Sequence, residues 1–188
     1  DNVSDKVTAT AVANSVSAAD VTNVANEIAV TGTEKKTAIQ QLLAAGQIKL
    51  NDNGEVVAPA GSGDVTVTII KEPYLDVEVT ALDAAAKEIT LNIEPKYNLL
   101  ATTDKNDATQ SVVVSTGNDL KVTAEMAVKI ALPDNFATDG AKLSVKHEKS
   151  TGIEYYTGAV TLENSKLYVT FTTKGFSPFT ISTPAASI

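Results

Sequence analysis

The chain reads as a mainly β protein, an antiparallel Ig-like β-sandwich with a small N-terminal helical subdomain, and three observations predict it. From Asp64 onward, apolar and polar residues alternate with a period of two over successive short runs. Turn residues separate those runs at intervals of roughly ten residues, the spacing of a sandwich and not of a βαβ fold. The stretch Val160 to Phe171 specifies its own hairpin: Asn164-Ser165 is a two-residue turn that sets Leu162 against Leu167 and Val160 against Val169, with Glu163 meeting Lys166.

Composition narrows the classes. At 188 residues, with 43% hydrophobic and 20% charged residues, the chain can build one good core or a small domain beside a larger one. All 15 basic residues are Lys, and the net charge is −8. Without the planar Arg fork for phosphate and guanine, and with this charge, nucleic acid is not an expected partner. The absence of Cys excludes disulfides and thiolate sites. The longest apolar runs are a few residues, so no membrane insertion is expected; no signal peptide is visible at Asp1, which leaves a cytoplasmic protein or a mature or excised fragment.

Residues 5 to 13, DKVTATAVA, alternate weakly and read as an added edge strand or a lead-in. Ser17 and Asp20 have capping-box spacing, with Val16 and Val21 placed as a hydrophobic staple, so a helix is expected over roughly 18 to 29. Its stripe is Val21, Val24, Ala25 and Ile28. Thr33 then caps a second helix carrying Ala38, Ile39, Leu42 and Leu43, which Gly46 stops. Ile48 and Leu50 lead into Asn53-Gly54, with Val56 and Val57 returning as a hairpin. This helix-helix-hairpin unit needs a neighbour to complete its core.

The stretch APAGSG, from Ala58 to Gly63, is linker-like and places the expected boundary: 1–60 as a small helical subdomain with a β-hairpin, 61–188 as the antiparallel sandwich. In the second part Val65, Val67 and Ile69 open a strand, Pro73 interrupts it, and Leu75, Val77 and Val79 resume. Ile89, Leu91 and Ile93 answer, in a register whose paired numbers sum to 168. Further strands are expected at Val112 to Ser115, at Leu120 to Leu132 with Val122, Ala124, Met126, Val128 and Ile130 in phase, and at Leu143 to His147. Turns are expected at Thr116 to Asp119, Pro133 to Asn135, Asp139-Gly140 and Thr151-Gly152. After the closing hairpin, Gly175 permits a bend, and Phe176, Phe179 and Ile181 are expected to close a sheet edge over the core.

Few residues offer chemistry. His147 is the only histidine, so any Ser/His/acid relay must use it. It shares a strand face with Leu143 and Val145 and has no GxSxG elbow to serve, which favours a structural or solvent role. Asp76, Glu78, Glu88 and Glu94 fall on one outward face, as on a solvated sheet surface. Calcium is the one metal worth naming: Asn51 to Glu55 is explained by its turn, while Asp104 and Asp107 are weak loop candidates, and neither loop meets the EF-hand pattern. The helix-helix-hairpin order imitates a winged helix-turn-helix, but Gln40 and Gln41 stand where a recognition helix needs cations. Tyr155 and Tyr156 must point to opposite faces of a strand, which leaves one of them exposed.

The run YLDVEVTALDAAAKEITLNIEPKYNLLATT and the ending VKIALPDNFATDGAKLSVKHEKSTGIEYYTGAVTLENSKLYVTFTTKGFSPFTI resemble β-sandwich modules of secreted, wall-associated proteins of Gram-positive gut bacteria. Leu132-Pro133-Asp134-Asn135 and Phe176-Ser177-Pro178-Phe179 are similar to the LPDG-type and FS-aromatic endings of paired β domains, with Asn135 in place of the usual glycine. The resemblance covers about the last 125 residues of the chain. It implies an extracellular, structural or binding module, secreted or cell wall-associated, with no transferable catalytic residues; no cofactor is expected.

The function expected is therefore that of a non-catalytic structural or adhesive module, a spacer or a mediator of extracellular protein interactions. A carbohydrate-binding module and an uncharacterised hydrolase are the alternatives. The partner expected is an extracellular protein or glycan.

Overall fold

The computed structural model describes residues 2–18, 21–60, 65–103, 110–122, 125–176 and 178–183. The protein is mainly β, with 52% strand and 17% helix, and its strands pair antiparallel in open sheets. In chain order the elements are α1 (Asn2–Ser15), β1 (Ser17–Ala18), α2 (Val21–Asn26), α3 (Gly32–Ala44), β2 (Lys49–Leu50), β3 (Val56–Val57) and β4 (Thr68–Asp83). There follow β5 (Glu88–Thr102), β6 (Val112–Asp119), β7 (Met126–Ala131), β8 (Lys142–Lys149), β9 (Gly152–Glu163), β10 (Lys166–Thr173) and β11 (Pro178–Ser182).

Two compact units divide the chain. One comprises Asp1–Val21, Tyr74–Pro95 and Lys121–Ile188, the other Thr22–Pro73 and Lys96–Leu120. The position expected as a boundary, near residue 60, falls within the second unit, and residues 61–63 of APAGSG lie outside the described residues.

In the first unit the strands follow the hydrogen-bonded order β1-β7-β10-β9-β8-β11-β5-β4. One core joins the inner faces of both ends of this path: Val128 and Ile130 of β7 belong with Ile89, Leu91 and Ile93 of β5. Phe171 of β10 and Phe179 of β11 bring their ring centroids to 5.3 Å although β9 and β8 separate the two strands, so the sheet curls over its apolar face. The closing hairpin has the expected register, with Leu167 opposite Leu162, Val169 opposite Val160 and Lys166 opposite Glu163. Asn164 and Ser165 take φ of 51° and 67°, as a type I′ turn requires. Gly158 of β9 permits close packing, because a Cβ there would lie 2.5 Å from Val169 Cγ2.

Several expectations are corrected in this unit. Residues 5 to 13 are helical, within α1. Small Ala and Thr alternate in sequence, but the half-buried and buried positions Thr8, Ala9, Val12, Ala13 and Val16 keep the spacing of a helix face. Ser15 Oγ donates to Val12 O at 2.7 Å and accepts from Ala131 N at 2.9 Å, tying the end of α1 to β7. Ser17 is no helix cap: Ser17 and Ala18 pair with Lys129 and Val128, so sheet bonding claims them, and α2 begins only at Val21. Asp20, the other member of that expected box, lies outside the described residues. Of the long strand expected from Leu120 to Leu132, Met126–Ala131 forms, with Met126, Val128 and Ile130 buried in phase; Val122 is not in a strand, and Ala124 lies outside the described residues. The strand β11 lies between β8 and β5 and is not an edge; Pro178, its first residue, is tolerated there.

The second unit packs α3 over strands. Ala38, Leu42, Ile48 and Ala101 are its buried centre, with Ile39, Leu43, Val65, Val67, Val112 and Val114 around them. The neighbour that the helical segment needed is therefore supplied within its own unit by Val65, Val67, the start of β4, the end of β5 and β6. Its cap is Thr31 and not Thr33: Thr31 Oγ1 accepts from Glu34 N at 3.1 Å, and Glu34 Oε1 accepts from Thr31 N at 2.9 Å. The expected hairpin forms, with Lys49 opposite Val57 and Leu50 opposite Val56. Thr116 to Asp119 is not a turn but the end of β6, where the register on β5 shifts and Gly117 takes φ of 66°.

Pro73 does not interrupt its strand, since β4 runs continuously from Thr68 and ends the hydrogen-bonded order, where a missing N–H is tolerated. The partner along β5 changes at its own proline: Glu88–Asn92 pair with β11, and Lys96–Ala101 with β6. Side-chain hydrogen bonds between β4 and β5 join Thr80 to Thr90 and Glu72 to Asn98. The side chains of β4 stand on the faces expected for them, with Leu75, Val77 and Val79 packed on the core and Asp76, Glu78 and Thr80 exposed.

Candidate functional site

The sequence placed its only histidine beside Leu143 and Val145, and all three are buried on the inner face of β8, with His147 just 1% exposed. The Thr151-Gly152 turn folds β9 back so that His147 lies opposite Glu154. Tyr156, two residues on, reaches the ring, with its hydroxyl 3.0 Å from His147 Nδ1. That hydroxyl donates to Glu154 Oε2 at 2.7 Å, and Lys149 Nζ donates to Glu154 Oε1 at 2.9 Å. A polar chain thus runs from the core to the rim: His147, Tyr156, Glu154, Lys149.

Phe179 stacks on the imidazole, centroids 4.5 Å apart and planes at 16°. Thr173 Oγ1 lies 3.4 Å from the Tyr156 hydroxyl and donates to Gly175 O at 2.7 Å. His147 Nε2 is buried and has no hydrogen-bond partner among the described residues.

Proton roles follow from the donors available. Hydrogen bonds from Lys149 and Tyr156 hold the Glu154 carboxyl below its usual range, so it is an acceptor and takes the single Tyr156 proton. The Tyr156 oxygen is then left to accept, and Nδ1–H of His147 must donate to it. That assigns the Nδ1–H tautomer and leaves Nε2 a lone pair. Burial, aided by the Lys149 charge and opposed by Glu154, lowers the histidine pKa. Burial is also the main cause that raises the Tyr156 pKa. The Glu154 hydrogen bond raises that of Lys149.

The outer face of the same strands is different. Tyr155 and Ile153 of β9 stand 67% and 55% exposed, opposite Lys146 and Glu148 of β8. Lys146 and Glu148 pair at 3.2 Å. Thr157, Ala159 and Thr161 continue the outer row of β9, with Tyr168 opposite Thr161 and Thr170 opposite Ala159. Lys129 lies 4.5 Å from the Tyr168 ring centroid and pairs with Glu163 at 2.6 Å. As parity requires, Tyr155 and Tyr156 divide between the two faces.

Asp76, Glu78, Glu88 and Glu94 stand exposed along β4 and β5, alternating with inward apolar residues, and are not brought to His147. In the other oxygen-rich loop, Asn51 Oδ1 accepts from Asn53 N at 3.0 Å and Glu55 N at 2.8 Å, so turn chemistry employs it. Asp104 and Asp107 lie outside the described residues. Among the described residues no three His, Cys, Asp or Glu side chains are grouped to hold a metal, and no helix is long and apolar enough to cross a membrane.

Sequence reasoning did not join Glu154, Tyr156 and Lys149 to His147. The signal was present: the register argument used for the closing hairpin, applied around Thr151-Gly152, sets Glu154 opposite His147. Comparison with protein-family models, with curated proteins and with solved structures found no match to this chain.

Proposed function

We propose that the chain is a non-catalytic, secreted or cell wall-associated module that makes extracellular contacts through the outer face of β9. The observation that carries this reading is the exposure of Ile153 and Tyr155, neighbours on the outer face of β9 where that strand pairs with β8. An aromatic and an aliphatic side chain left in water, rimmed by paired charges, have the composition of a contact patch. The enclosure of His147 supports the non-catalytic part, because its ring is stacked under Phe179 and its free nitrogen is closed to solvent. We read the curled sheet as a β-sandwich of immunoglobulin-like kind formed by one sheet folded over itself; the shared core of β5 and β7 supports that arrangement.

A second reading, glycan binding, is favoured by Tyr155 alone, whose exposed ring lies beside Thr157 and Lys146 and offers a platform for a sugar. Both are tested with the intact chain on a panel of immobilised extracellular proteins and polysaccharides. Retention by at least one surface is expected, with a drop of about tenfold or more in the Ile153→Ser/Tyr155→Ser variant at unchanged thermal midpoint. Retention that is equal in wild type and variant removes this face from the reading. Turnover of ester or glycoside substrates, abolished at one carboxylate or at His147, replaces it with a hydrolase. A signal peptide upstream and an anchoring signal downstream in the coding sequence would support the compartment.

A further inference from the structure

The polar chain that ends at His147 holds one corner of the first unit. It joins β8 (His147, Lys149) to β9 (Glu154, Tyr156); Thr173 of β10 reaches the Tyr156 hydroxyl, and Phe179 of β11 stacks on the imidazole. These residues flank the Lys149–Gly152 end of the β8–β9 hairpin. We propose that His147 is a proton-operated latch: in its neutral form it fastens this end of the hairpin, and uptake of one proton at Nε2 releases it.

The geometry supplies the mechanism. Neutral His147 satisfies Nδ1–H on Tyr156 and leaves only an unused lone pair at Nε2, which a buried site tolerates. Protonation turns that lone pair into an N–H donor with no acceptor among the described residues, on a cation stacked against Phe179. A buried charge and an unmade hydrogen bond are both unfavourable, so the cation is accommodated only when the corner opens to water. The proton comes from solvent and goes to Nε2; no covalent bond other than N–H forms.

The charged and titratable groups that face the ring, among the described residues, are Lys149 from its own strand and Glu154 and Tyr156 from β9; β11 contributes the uncharged Phe179, while Thr173 and Phe171 of β10 lie against Tyr156. Glu154 favours the cation, but burial and Lys149 prevail, and the histidine pKa is lowered.

The sign follows. A histidine depressed in the folded state contributes stability that is fully present above the unfolded value of about 6.5. That contribution fades as pH falls below this value, until the folded value is reached. Within that window the closed form loses on the order of tenfold per pH unit. Glu154, held below its ordinary value, loses its own contribution in a separate and more acidic window. The latch does not depend on what Ile153 and Tyr155 touch, although opening this end displaces both.

Two measurements on the wild-type chain test it. In an NMR titration the His147 Cε1–H resonance is expected to titrate below about 6.5. A midpoint at or above that value overturns the proposal. Amide exchange, corrected for intrinsic rates, is compared at pH 7 and pH 5. Protection across Lys149 to Tyr156 is expected to fall about fivefold or more relative to Val128 to Ile130 of β7. Unchanged protection, or a loss spread evenly over all strands, overturns it. His147→Phe keeps the stack on Phe179 and leaves Tyr156 bonded to Glu154, so its protection is expected to stay flat over this pH range; retention of the wild-type pH response overturns the latch. Should that variant fail to fold, the two wild-type measurements still decide.

Discussion

Phe171 shows how much rests on a single inward side chain. It is 2% exposed, 5.3 Å from Phe179 and 6.5 Å from Tyr156 by ring centroids, at the point where the curled sheet brings β10 and β11 together. Phe171→Ala is expected to lower unfolding stability by about 3–5 kcal/mol, while Thr170→Ala on the outer face lowers it by well under ~1 kcal/mol. Denaturant titration of both variants checks the pair, and equal losses would contradict the strand parity. Gly158 is constrained in the opposite sense. Because a Cβ there meets Val169 Cγ2 at 2.5 Å and Val145 Cγ2 at 3.3 Å, Gly158→Ala is expected to destabilise by about 1–3 kcal/mol through overpacking. Combining it with Val169→Ala should cost less than the sum of the two single changes, and a double-mutant cycle reads that coupling.

Among the elements, α3 and the closing hairpin take their limits from local chemistry. The reciprocal Thr31–Glu34 bonds satisfy donors at the start of α3, so Thr31→Ala is expected to destabilise the fold by about 1 kcal/mol, measured by thermal or denaturant unfolding. Thr33→Ala, at the position first read as the cap, should have the smaller effect. In the hairpin both turn residues have positive φ, and Ser165 lacks the freedom of glycine. Ser165→Gly converts the turn to Asn-Gly and is expected to stabilise by roughly 0.5–1 kcal/mol. A lowered thermal midpoint would instead point to a turn of another type.

At the scale of the whole molecule, the chain does not deliver its units in sequence order. Each unit is assembled from separated segments. A fragment beginning at residue 61 lacks Val12 from the core of the first unit and Ala38 and Leu42 from that of the second. Residues 61–188 produced alone are therefore expected to bind a hydrophobic dye and to unfold with weak cooperativity, and adding residues 1–60 in trans should suppress the dye signal. A fragment with a sharp unfolding transition and no dye binding would show that both cores close without the N-terminal segment.

Legibility followed the range of the interactions. The closing hairpin was readable to the residue because its register depends on a two-residue turn and on side chains that directly face one another, all within Val160 to Phe171. The inward sets of β5, β7 and β8 were readable because a period of two reports which face is buried. The sequence alone also determined that His147 lies with Leu143 and Val145 and that Tyr155 and Tyr156 part company. It did not determine what an ambiguous segment would become. Residues 5 to 13 mix β-branched Val and Thr, which favour strand, with Ala, which favours helix, and contact with β7 decided for the helix. Likewise Ser17 could cap a helix or join a sheet, and the unpaired edge of β7 decided. The Thr151-Gly152 turn already sets Glu154 opposite His147, so that end of the polar chain was legible in register even though its hydrogen bonds were not. The position of β11 between β8 and β5 and the change of partner at Pro95 were decided only by the tertiary structure. They join residues tens of positions apart, and such pairings leave no mark on local composition; they exist because burying one continuous apolar face requires the sheet to curl.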